Sequence, residues 1–115
     1  MSFRPLIPLL AGLCFATGTA AAKNYEVEEL RRMVDAGNTP EQGEPETIRD
    51  EAMAFDECVA GKSRVLEAAA GDYPTAQALR SPATEIDTVW TRDAVMQITC
   101  SRTEGRMKIT RSPYL

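Results

Sequence analysis

The sequence predicts an α+β fold: a short N-terminal helix, then one main amphipathic helix packed on a three-stranded antiparallel β-meander, with a disulfide joining helix to sheet. Three observations predict it. Between Ile48 and Leu66 apolar residues recur at steps of three, four and seven, the spacing of one helix face. From Glu85 onward the period changes to two, the spacing of strands with one buried side. Of the three cysteines, Cys58 falls in the helical stretch and Cys100 in the strand stretch, while Cys14 belongs to an N-terminal apolar run.

That apolar run has the three parts of an export signal. Arg4 supplies a positive start, Leu6 to Ala16 form a run broken only by Pro8 and Gly12, and Ala20-Ala21-Ala22 gives the small-x-small pattern of a cleavage site. The run is too short to span a bilayer, which takes roughly twenty apolar residues. Cleavage after Ala22 is expected, leaving a working chain that begins at Lys23 and makes no stable membrane insertion. Cys14 is preceded by Ala11-Gly12-Leu13, out of register for a lipoprotein signal, and is expected to be lost with the leader.

The division expected is therefore a signal peptide over 1–22, a short acidic helix with a Pro/Gly-rich loop over 23–46, and a core domain over 47–115. A domain this small buries a limited fraction of its surface and gains much from a covalent staple. In an oxidising compartment, Cys58 and Cys100 are the pair to supply it. Arginine outnumbers lysine ten to three and alanine is plentiful, a composition of GC-rich bacterial genomes. With a single disulfide, this points to a periplasmic or secreted bacterial protein.

In order along the chain, Tyr25 to Ala36 has Val27, Leu30, Met33 and Val34 at helical spacing, with Glu26, Glu28 and Glu29 in the first turn, where a helix favours negative charge. Gly37 provides a left-handed cap. Asn38 to Glu46 has no periodicity and is read as an exposed, mobile acidic loop. The main helix is expected over Glu46 to Ala70. Ile48, Ala52, Phe55, Val59 and Leu66 make its stripe, Cys58, Val65 and Ala69 widen one edge, and Gly61 weakens its middle. Gly71-Asp72-Tyr73-Pro74 ends it, and Thr75 to Arg80 is read as one further helical turn. Strands follow at Glu85–Thr91, Ala94–Ser101 and Arg106–Arg111, joined by turns at Arg92-Asp93 and Arg102-Thr103-Glu104-Gly105. One sheet face is expected to carry Ile86, Trp90, Met96, Ile98, Cys100, Met107 and Ile109, with Glu85 and Asp87 turned away.

The composition excludes much chemistry. There is no histidine, which removes Ser-His and Cys-His nucleophile pairs and the commonest general base. The cysteines form no CxxC motif, and no phosphate loop, HExxH or GxSxG is present. Asp50-Glu51 and Asp56-Glu57 lack the alternating spacing and turn glycine of a Ca²⁺ loop and read as solvated helix surface. No cofactor is implied. Removal of Arg4 leaves 12 basic and 17 acidic residues, a net charge of −5, concentrated between Lys23 and Glu57. Such a surface repels phosphate, so a nucleic-acid partner is not expected.

Against this acidic background the C-terminal hairpin is basic. Arg102, Arg106, Lys108 and Arg111 stand against Glu104, forming either a docking surface for an acidic partner, a polyanionic glycan or the chain's own acidic loop, or the charged guard of an exposed strand. Trp90 is read as core rather than a ligand-stacking surface. The function expected is that of a small exported, non-catalytic interaction or accessory module of the cell envelope. The alternative is a secreted enzyme inhibitor or small-ligand carrier, for which an apolar pocket would be the sign.

Overall fold

A computed structural model of the protein describes residues 23–115. The expected leader and cleavage site, and Cys14, lie outside the described residues. The elements are α1 (Val27–Asp35), β1 (Glu46–Ala52), α2 (Phe55–Ala70), β2 (Thr75–Arg80), β3 (Thr84–Trp90), β4 (Ala94–Ser101) and β5 (Arg106–Pro113). The strands form one antiparallel sheet in the order β1-β5-β4-β3-β2. The expected meander is its centre, β3-β4-β5, and the Cys58–Cys100 disulfide is present.

Two corrections concern the strands that flank the meander. Glu46–Ala52 is the edge strand β1, not the first turns of the main helix, which begins at Phe55. The helical stripe through Ile48 and Ala52 is real as a pattern. However, β5 would otherwise present a row of unpaired backbone groups, and β1 satisfies them from Glu46 opposite Arg111 to Ala52 opposite Arg106. The register slips at Ile48, which ends half exposed. Likewise Thr75–Arg80 is not a helical turn but the edge strand β2, paired with β3 and irregular at Ala78. In both segments strand pairing overrides local periodicity, for β1 with a strand more than fifty residues away and for β2 with the next strand in the chain.

A third correction concerns which way β3 faces. Opposed residues share a sheet face, and the register aligns Glu85 with Cys100 and Met107, Asp87 with Ile98 and Ile109, and Val89 with Met96 and Arg111. Cys100 is bonded to α2, so Glu85, Asp87 and Val89 belong to the α2 face. Ile86 and Trp90 take the opposite one. Buried Trp90 there joins Leu30, Val95 and Tyr114, with Tyr25, Val34 and Ala76 packed around them. This cluster is α1's core, distinct from the one beneath α2 formed by Cys58, Cys100 and Met107 with Met53, Phe55, Val59 and Ile109.

Several local expectations hold. Gly37 has φ 74° and closes α1 as anticipated: its N–H donates to Val34 O and that of Asn38 to Met33 O, satisfying two terminal carbonyls. Gly105 has φ 61° in the β4–β5 turn. The acidic loop is exposed except at buried Pro40 and half-buried Gly43, but unlike the free loop expected it is tied to the C-terminus, the Gly43 N–H donating to Pro113 O and the Leu115 N–H to Glu41 O.

Candidate functional site: an apolar groove beside the main helix

Five strands about 4.8 Å apart make a sheet roughly 19 Å across between its outer strands, whereas a helix with its side chains is about 10–12 Å wide. One helix therefore leaves part of a five-stranded face uncovered. Here α2 is anchored over β4 by the disulfide, and open surface remains beside it, over β5 towards its start and over β3 and β4 towards its end.

The groove has two lobes. The first, about 290 Å³, lies towards the start of α2, between Met53, Gly61 and Val65 on one side and Met107, Ile109 and Arg49 on the other. The second, about 190 Å³, lies towards the end of α2 and is walled by Ala69, Tyr73, Val89 and Met96. Val65, Ile98 and Ile109 line both lobes and join them. Val65 is 52 % exposed, a large aliphatic side chain left in water beside a face of buried isoleucine and methionine.

Charge sits at the first lobe. Arg49 donates from Nε to Glu51 Oε2 at 2.6 Å, so its charge is balanced on the edge strand. Arg64 has no acidic partner within ion-pair distance among the described residues. Its guanidinium lies back over Gly61, where a Cβ would stand 3.8 Å from it. The glycine thus keeps the lobe's rim low, at a cost of roughly 1 kcal/mol of helix propensity.

At the floor, Lys62 is only 3 % exposed. Its Nζ donates to Asp87 Oδ1 at 2.6 Å and lies 3.1 Å from Glu85 Oε1, the latter out of line for a hydrogen bond. Glu85 also approaches the half-exposed Arg80 at 3.7 Å. This explains the orientation of β3: its two carboxylates turn under α2 because a lysine reaches down to meet them. With its ammonium turned to these carboxylates, Lys62 acts as their buried counterion. Among the described residues, no three histidine, cysteine or acidic side chains gather in a metal-binding group. None of the described helices is long and apolar enough to cross a membrane.

The basic hairpin residues are spread over different surroundings. Arg102 stacks its guanidinium 4.1 Å from the centre of the Phe55 ring and donates to Pro82 O, with Asp56 at 3.7 Å. Arg106 donates to Asp50 at 2.7 Å. Arg111 donates to Asp93 at 3.0 Å and, by register, belongs to the face opposite Arg106 and Lys108. Lys108 has no acidic partner within reach among the described residues. It borders a shallow, hydroxyl-lined depression of about 140 Å³ with Thr84, Thr99, Ser101, Glu104 and Arg106.

Reading the sequence alone places Val65 correctly at the edge of the helix stripe but misses Lys62, Glu85 and Asp87. A signal for the lysine was present: it stands four residues after Cys58 and four before Leu66, within the apolar stripe. No protein-family model matches this chain, and neither a curated protein nor a solved structure shows significant similarity to it.

Proposed function

We propose that this protein is an exported, non-catalytic binding module of the bacterial cell envelope that engages a partner protein through the groove beside α2. The observation that carries this reading is Val65, half exposed over Ile98 and Ile109 where a charge-rimmed lobe meets an apolar one. A concave surface with apolar walls and a few polar groups at its rim is the ordinary setting for a bound partner. The disulfide is compatible with an extracytoplasmic setting. The hairpin supports the reading less well, because three of its four basic side chains are already paired with acids.

Small-ligand carriage is a second reading, favoured by a first lobe whose volume approaches that of a small-molecule site. Pull-down from native periplasm or culture medium decides among these. Val65→Glu places a charge in the apolar junction and is expected to abolish partner recovery, with circular dichroism and melting unchanged. The pair Arg106→Glu with Lys108→Glu is expected to retain it. The reverse pattern would move the binding surface to the hairpin, and a purified protein carrying a stoichiometric small molecule would favour carriage.

A further inference from the structure

Resting on the groove as the binding site, we infer that its occupant is an acidic amphipathic segment of another protein, with apolar side chains in the two lobes and a carboxylate on Arg64. Shape, charge and the fate of this chain's own helix faces lead to that choice.

The groove is open along its length and divided into two hollows that meet at Val65. An acyl chain laid there would keep one flank in water, whereas side chains projecting from a separate backbone fill discrete hollows from above. A helix laid in a groove does this with anchors at steps of three, four or seven.

Charge supplies the polarity. Of the two arginines at the first lobe, Arg49 is closed on Glu51 and Lys62 beneath them is held by Asp87 and Glu85. Arg64 is the cation left over, on the exposed side of α2 and one residue before Val65. A partner carboxylate near the anchor that enters the first lobe would complete it with a charge-assisted hydrogen bond. An acidic rim also gives register, since the second lobe offers no cation among its lining residues.

A helix from a second copy of this chain fits poorly. Its other described helix, α1, already commits Leu30 and Val34 to the cluster with Trp90 and Tyr114, so it has no free apolar stripe to donate.

The test is a photo-reactive benzoylphenylalanine in place of Val65, irradiated in native envelope material, with the cross-linked peptide identified by mass spectrometry. That peptide is then synthesised and its binding to the full exported chain measured at low and moderate salt. The expected result is a peptide of another protein with apolar residues at helical spacing and an Asp or Glu beside them. Its affinity should fall with salt, drop at least tenfold in Arg64→Glu, and stay near wild type in Arg64→Lys. Cross-linking to a lipid, to a second copy of this chain or to nothing overturns the inference. So does a peptide whose binding ignores Arg64→Glu. The underlying reading fails separately, when Val65→Glu recovers every partner at the wild-type level.

Discussion

Replacing Lys62 with methionine tests the buried charge cluster beneath α2. Methionine keeps most of the side chain's length and apolar contact, so the variant removes the charge rather than the packing. The side chains of Lys62, Asp87 and Glu85 are 1 %, 8 % and 13 % exposed, so water does little to solvate what remains. Removing one member of a buried pair leaves its partner uncompensated and costs about 3–5 kcal/mol. A domain of this size has a total stability on the order of 5–14 kcal/mol, so the loss is a large fraction of it. With about 4–8 °C per kcal/mol for domains of under a hundred residues, melting followed by circular dichroism should fall by about 12–40 °C. The triple variant Lys62→Met, Glu85→Leu, Asp87→Leu removes all three charges. It is expected to recover to within about 1 kcal/mol of wild type or to exceed it, because well-packed apolar groups commonly replace buried ion clusters without loss. A single variant that melts within a few degrees of wild type would refute the assignment of Lys62 as the buried counterion. A triple variant no better than the single would show that packing around the stem, not charge, sets the cost.

Three further outcomes are expected. The disulfide closes a loop of 42 residues, worth about 4 kcal/mol on the chain-entropy account, so Cys58→Ala with Cys100→Ala should lower the denaturation midpoint accordingly in urea titration; non-reducing peptide mapping should recover the two peptides linked. Gly61→Ala should raise stability by about 0.5–1 kcal/mol, since the added methyl meets only the end of Arg64 at an ordinary contact distance; a loss of stability on thermal melting would show that the helix needs glycine there. Burial, then Asp93, then Tyr25 raise the pKa of Tyr114 above its ordinary value, and its hydroxyl donates to Thr91 O at 2.6 Å. Because the fold favours the neutral form, this contribution is intact below about pH 10 and is lost as pH rises beyond it. The alkaline decline in melting temperature should therefore be shallower in Tyr114→Phe than in wild type.

What the sequence by itself determined follows from interactions that are local or period-bound. The limits of α1 were legible because Gly37 and the first-turn glutamates act within a few residues. The end of α2 at Ala70, the three central strands, the Gly105 turn and the cysteine pair were legible because period two, a turn glycine and an even cysteine count each have one economical reading. Tertiary structure alone decided the rest. Glu46–Ala52 fits a helical stripe as well as a strand, and only the unsatisfied edge of β5, more than fifty residues away, draws it into the sheet. Thr75–Arg80 is drawn into a hairpin with β3, the next strand, whose free edge it satisfies. The facing of β3 depended on Lys62, because two carboxylates turn inward only where a buried cation awaits them, and no periodicity within a strand reports what lies above it. The groove could not be read from the chain for the same reason. It exists because five strands are wider than one helix, and the fourth and fifth strands of that comparison were the two whose pairing was invisible until the edges met.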